Sequence, residues 1–176
     1  MNERVVVVNA GKMNYDHLLD FSVLSNDVQV YDDSTNAEII ERIQGASVVV
    51  TKELPVGAEL LSQFPESVKL IVEAGTGYNN IDLDAARAKG ITVCNIPAYS
   101  TERVAHTAIM MLLNFASTMQ QQIGMLARGN RSNFTKHLQV PHTEVNGKTL
   151  GIIGAGHIGM AVVKVAKALD MNILIH

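Results

Sequence analysis

Along the first hundred residues, short β-branched runs alternate with stretches in which apolar residues recur three or four apart. Arg4–Ala10, Val28–Tyr31, Ser47–Thr51, Lys69–Glu73 and Ile91–Asn95 read as strands, being short and rich in Val and Ile. Tyr15–Leu24, Asn36–Gln44, Val56–Gln63 and Leu83–Lys89 read as helices, with Ala37, Ile40 and Ile43 forming one apolar face. Five strands separated by four helices predict a parallel α/β sheet, because parallel neighbours need a crossover connection. The near-continuous runs Val5-Val6-Val7-Val8 and Val48-Val49-Val50 suit a sheet covered on both faces.

The pattern changes at Asn95–Ser100. Pro97 biases its predecessor away from helix, and Ser100 is placed to cap the next helix. Thr101–Met119 reads as that helix, a long one, apolar at Val104, Ala108, Leu112, Phe115 and Met119 and at further neighbours. So wide an apolar face predicts burial on more than one side, against another domain or a partner chain. Gln120–Val145 is polar and basic, with Gly124, Gly129 and Pro141, and reads as a connecting arm with some helix at its start. Residues 1–99 are thus expected to form one domain and residues 100–176 another.

Composition narrows the class. With 47% apolar and 18% charged residues and four prolines, the chain can bury a core and is neither disordered nor collagen-like. A single cysteine excludes a disulfide framework and suits a reducing cytosol. The four valines before Asn9 are too few for a signal-peptide core, and no window approaches the ~18 apolar residues of a membrane span, so a cytoplasmic protein is expected. The net charge of −3 argues for neither nucleic acid nor membrane as a partner. It divides unevenly, −7 over residues 1–100 against +4 over residues 101–176. A basic second part favours a phosphate-bearing ligand, although a difference of surface composition accounts for it equally well.

Candidate chemistry concentrates in one motif. Thr149–Ile153 reads as a strand leading into Gly154-Ala155-Gly156-His157-Ile158-Gly159, a helix to Leu169 and a second strand at Met171–Ile175. A glycine turn in that context predicts dinucleotide binding. Gly154 allows the tight turn, Gly156 lets the backbone approach a pyrophosphate, and Gly159 lets helix and strand pack closely. The phosphates then sit at the helix N-terminus, among its unpaired N–H groups. The acidic residue that bonds the ribose belongs at the far end of the second strand, whereas Asp170 precedes it, so the choice between NAD and NADP stays open.

These residues resemble the D-isomer-specific 2-hydroxyacid dehydrogenase family, above all its glycerate and phosphoglycerate dehydrogenase members. The resemblance rests on four stretches in family order: Val50-Thr51-Lys52, Glu73 to Asp82, Val93 to Thr101, and Gly147 to Gly159. It implies a flavodoxin-like substrate domain followed by a Rossmann domain, with the active site in the cleft between them. It implies further that backbone N–H groups of Gly75-Thr76-Gly77 hold the carboxylate of a small 2-hydroxy or 2-oxo acid, and that Thr76 touches the nicotinamide end of NAD. Lys52 is implied to face the cleft, where a solvated lysine is the competing reading; Asn95 and Tyr99 approach from the crossover. Asp82 is expected to cap a helix. Gly154, Gly156, His157, Ile158 and Gly159 would form the cofactor turn, His157 standing where some relatives carry an arginine. His106 replaces the usual glutamate or glutamine and is expected to be a core histidine. Relatives draw a substrate-orienting arginine and an acid–base histidine from further along the chain, and His17, His137 and His142 lack that context. The chain is therefore expected to be an N-terminal part of such an enzyme, from a truncated gene or a trimmed polypeptide, and inactive alone. By resemblance it should form a homodimer through Thr101–Met119 and the following arm. Two other readings stand beside this one: a non-catalytic binding or dimerising module, and a free-standing flavodoxin-like domain, against which the glycine motif counts.

Overall fold

The computed structural model describes residues 3–176. The chain divides into two compact units, Met1–Pro97 and Ala98–His176. In the first, β1 (Arg4–Val7), β2 (Asp27–Val30), β3 (Val48–Thr51), β4 (Leu70–Glu73) and β5 (Thr92–Cys94) form one parallel sheet in the order β2-β1-β3-β4-β5. That order is the flavodoxin-like one, in which the chain direction across the sheet reverses between β1 and β3.

Side chains alternate across the strands, so each strand feeds two cores. Val6, Val8, Val49 and Ile71 pack with Ile39, Ile43, Leu60, Leu61 and Ala86. Those partners lie on or beside α1 (Asn36–Arg42), α2 (Ala58–Ser62) and α3 (Leu83–Ala88), the helices of the three crossovers that follow β2, β3 and β4. Thr35 caps α1 in a reciprocal capping box with Glu38, whose carboxyl is held below the usual range by hydrogen bonds from the Thr35 N–H and then its hydroxyl. Asp82 caps α3 by accepting from the Ala85 N–H at 3.0 Å, as its position predicted.

Val5, Val7 and Val50 point to the other face, where Ala10, Met13 and Phe21 meet them. Here the helix expected at Tyr15–Leu24 does not form; the connection holds only two 3₁₀ turns, at Ala10–Lys12 and Phe21–Val23. The polar residues between the apolar ones explain why. Asn14 Oδ1 takes the Leu19 N–H at 2.8 Å, Asp16 takes that of Leu18, Asp20 takes that of Ser22, and His17 lies at φ +58°. Short Asn and Asp side chains that capture neighbouring N–H groups compete with the helical ladder.

In the second unit, α4 (Thr101–Ser117) ends at Thr118, which adopts φ +51°, and α5 (Met119–Ala127) starts in a new direction. The arm expected to be mainly irregular thus begins with two full turns of helix and adds the short α6 (Ser132–Thr135). The parallel pair β6 (Thr149–Ile152) and β7 (Asn172–Ile175) is joined by α7 (His157–Ala168). Its core gathers Ile109, Ala166 and Met171 with Leu112, Val145, Leu150 and Val162. His106 is exposed, 3.9 Å from Glu102, and not a core residue. The buried positions of α4 are Ala105 and Ile109, which leaves His106 on another side of the helix. Among the described residues no helix is long and apolar enough to cross a membrane.

Ile71 is fully buried on β4, between β3 and the edge strand β5 of the larger sheet. Ile71→Ala should destabilise the first unit by about 3 kcal/mol, from lost transfer energy and an unfilled cavity. Urea unfolding followed by circular dichroism measures this, and a loss of only a few tenths would contradict the packing described.

Candidate functional site

Parallel strands send all their carboxyl ends to one edge of the sheet, and ligands of such sheets bind beyond that edge. At this edge the turns after β1, β3 and β4 lie side by side. The reversal point between β1 and β3 is occupied by Asn9, which is buried and clamps the backbone of residue 52: its Nδ2 donates to the Lys52 carbonyl at 2.6 Å and its Oδ1 accepts from the Lys52 N–H at 2.9 Å. That pairing ties the end of β1 to the turn after β3, and the turn after β4 lies next along the edge.

There Gly75 is buried, whereas Thr76 and Gly77 are exposed. The carbonyls of the turn are drawn to one side. Gly75 C=O accepts from the Ile96 N–H at 2.9 Å, and Thr76 C=O accepts from Asn95 Nδ2 at 2.8 Å. The Thr76 hydroxyl donates to the Ile96 carbonyl at 3.1 Å. Among the described residues, no acceptor within the chain takes the N–H groups of Gly75, Thr76 and Gly77. Successive unclaimed N–H groups in a turn form a concavity suited to an anion.

Lys52 stands over this turn. Its side chain is 15% exposed and its Nζ lies 3.1 Å from Glu53 Oε1. A Cβ placed on Gly75 would come to 2.7 Å from Lys52 Nζ and 3.1 Å from Glu73 Oε1, so an ammonium and a carboxylate flank its Cα and the lysine would have to shift to admit a side chain. Lys52 is thus packed across the turn with most of its side chain buried. Tyr99, in the second unit, is 63% exposed.

Three contributors at this edge escape a reading of the sequence: Asn9, Glu73 and Asn80. Glu73 reads there only as a strand end. The signal available is a glutamate closing an otherwise apolar β4, a residue type rarely buried without partners.

The second unit presents the glycine turn. Gly154 adopts φ +87°, the left-handed region that glycine enters without a Cβ penalty. A Cβ on Gly159 would overlap the Gly154 carbonyl, so α7 packs against the turn through bare backbone. At Gly156, by contrast, no atom lies within 4 Å of where a Cβ would be. Gly156 is also the N-cap of α7 and supplies no side-chain cap, so the first-turn N–H groups stay available to a ligand. His157 is exposed and Ile158 is 37% exposed at the same helix start. Asp170 lies before β7, at the opposite end from the turn.

Residues 5–146 match the family described as D-isomer specific 2-hydroxyacid dehydrogenase, catalytic domain; the glycine turn lies beyond that match. The chain is similar to a glycerate dehydrogenase of Methylorubrum extorquens, 36% identical over 142 residues that cover 80% of this chain and 45% of that protein. To a D-3-phosphoglycerate dehydrogenase of Methanocaldococcus jannaschii it is 38% identical over 150 residues, 84% of this chain and 28% of the relative. Among solved structures, a glyoxylate reductase from Paecilomyes thermophila matches with a TM-score of 0.80 at 25% identity, over 99% of this chain and 55% of the other. A D-lactate dehydrogenase from Aquifex aeolicus, complexed with NAD and lactic acid, matches with a TM-score of 0.80 at 27% identity, over 98% of this chain and 50% of the other. The chain spans about half the length of these solved relatives and less than half that of the two curated ones. With four-fifths of its residues inside the family match, the chain belongs to the D-isomer-specific 2-hydroxyacid dehydrogenase family.

Proposed function

We propose that this chain carries the substrate-carboxylate turn and the pyrophosphate turn of an NAD-linked oxidoreductase that moves a hydride between nicotinamide and a small 2-hydroxy or 2-oxo acid. The observation that carries the reading is the turn Gly75-Thr76-Gly77, whose carbonyls are tied back to residues 95–96 while its N–H groups are unclaimed. Such a turn holds a carboxylate through charge-assisted hydrogen bonds. Lys52 adds a nearby positive charge that attracts the acid and offsets the repulsion from Glu53 and Glu73.

The residues of the second unit fit a dinucleotide. Open space at Gly156 lets a pyrophosphate reach the backbone, and the uncapped start of α7, with His157, Ile158 and Gly159, supplies N–H groups and a positive dipole end. NAD, when bound, supplies the hydride acceptor or donor. The groups at the carboxylate turn are binding groups: backbone N–H and a lysine. None of the histidines belongs to that turn: His17 is in the first connection, His106 on α4, His137 and His142 in the arm, His157 at the start of α7 and His176 after β7. Self-association is assigned to α4 and α5, whose exposed apolar side chains include Met110, Met111, Phe115, Ile123 and Leu126, with Phe115 83% exposed. Beside that surface runs a groove of about 760 Å³, lined by Ile109, Leu113, Val145 and Val165 among others.

The purified 176-residue chain is expected to show no NADH-dependent reduction of hydroxypyruvate or glyoxylate. Acid–base catalysis alone contributes typically ~10²–10⁴-fold, and positioning more. Turnover within tenfold of a longer relative would refute this. NAD should bind with a dissociation constant of about 1 mM or weaker, near 4 kcal/mol. Gly156→Val should abolish that binding without unfolding the chain, since φ at this position is −72° and the added side chain enters open space; calorimetric titration of both proteins tests the site, and indifference to the change would remove it. Light scattering should give a dimer or larger, and a mass near 19 kDa across micromolar concentrations would refute association. Phe115→Glu should dissociate the assembly, Gln121→Glu should not, and Leu112→Glu should unfold the second unit, because Leu112 packs in its core.

A further inference from the structure

A carboxylate beside an anion site is electrostatically unfavourable, yet Glu73 ends β4 directly before the carboxylate turn and is fully buried. Buried carboxylates persist where hydrogen bonds replace their hydration. Both oxygens of Glu73 have such partners, and the partners belong to two different turns. Oε1 accepts from the Glu53 N–H at 2.9 Å, and Oε2 accepts from Asn80 Nδ2 at 3.0 Å. Asn80 Nδ2 also donates to the Leu54 carbonyl at 2.8 Å, which returns the contact to the turn after β3. Glu53 lies at φ +53°, a conformation that a non-glycine residue keeps only where its surroundings over-determine it. The Glu73 carboxylate on its N–H is one such constraint. The Asn9 clamp on residue 52 is the other, so the residue bearing the ammonium is held on both sides.

We propose that Glu73 is a positioning residue: its carboxylate ties the turn that carries Lys52 to the turn Gly75-Thr76-Gly77, so that ammonium and N–H groups converge before a carboxylate ligand arrives. The proposal rests on the reading of Gly75–Gly77 as the carboxylate site. Its energetic logic is preorganisation. An ordering cost met during folding is not charged again against binding. The backbone bonds Val56 N–H to Asn80 C=O at 2.8 Å and Asp82 N–H to Val56 C=O at 3.0 Å join the same two segments further along, which leaves Glu73 to fix the ends nearest the ligand.

The test uses the ¹⁵N-labelled 176-residue chain and its Glu73→Gln variant, which keeps the side chain's shape but has one acceptor oxygen in place of two. Amide exchange at Glu53 should accelerate at least tenfold, while Val6, Val49 and Ile71 keep their protection. Unchanged exchange at Glu53 would overturn the tie. Glyoxylate, titrated against the amide signals of Gly75, Thr76 and Gly77, should then bind at least tenfold more weakly to the variant. The sign is diagnostic, because removing a negative charge from beside an anion site strengthens anion binding by Coulomb's law alone. Weaker binding therefore reports lost positioning, and equal or tighter binding would overturn the proposal. If glyoxylate shifts none of the three signals in the parent chain, the carboxylate reading fails while the exchange rates still decide whether Glu73 joins the turns.

Discussion

A parallel sheet gives all its strands one polarity, and the main constraint at the candidate site comes from that. At the carboxyl edge every strand releases backbone groups that no further strand pairs, and each is satisfied by another part of the chain, by water or by a ligand. In the first unit this requirement is met unevenly. Asn9 satisfies both backbone groups of Lys52, and Glu73 takes the N–H of Glu53. Asn95 and Ile96 take up the carbonyls and hydroxyl of the next turn. What remains unclaimed is a short run of N–H groups at residues 75–77, flanked by a lysine. The open part of the edge is a remainder, defined by which groups the rest of the edge has already used.

Gly75 and Gly159, so different in surroundings, both lie where other atoms crowd the space of a Cβ. At Gly159 the crowding group is backbone, the Gly154 carbonyl across the turn, which cannot yield. At Gly75 it is the tips of side chains, the Lys52 ammonium and the Glu73 carboxylate, of which the lysine can shift. Gly156 differs in having nothing there, and empty space beside a helix start is what a phosphate needs. The glycines of the motif therefore differ in surroundings, one packed against backbone within the protein and one bordering open space.

Most of the architecture is legible in the chain. The valine runs and the three-or-four spacing of Ala37, Ile40 and Ile43 identify strands and helices, because burial on both faces and burial on one face leave different periodicities. Asp82 reads as a cap and is one. Periodicity misleads where apolar spacing is helical but the residues between are Asn and Asp. Between Tyr15 and Leu24, local hydrogen bonds by Asn14, Asp16 and Asp20 outcompete a helix. His106 departs from expectation for a related reason, since apolar content along α4 does not say which turn of the helix faces the core.

From sequence alone, the glycine turn, the turn Gly75-Thr76-Gly77 and Lys52 are identifiable, because each depends on residue type at a short spacing. The partners that hold them are not. Asn9 and Lys52 are 43 positions apart, and Glu53 and Glu73 are 20. Such pairs meet only when strand order and register bring their turns together, through β1 against β3 and β3 against β4. Local chemistry is written in neighbouring residues, whereas the satisfaction of a buried carboxylate depends on which turns the sheet places side by side, and tertiary structure alone decides that.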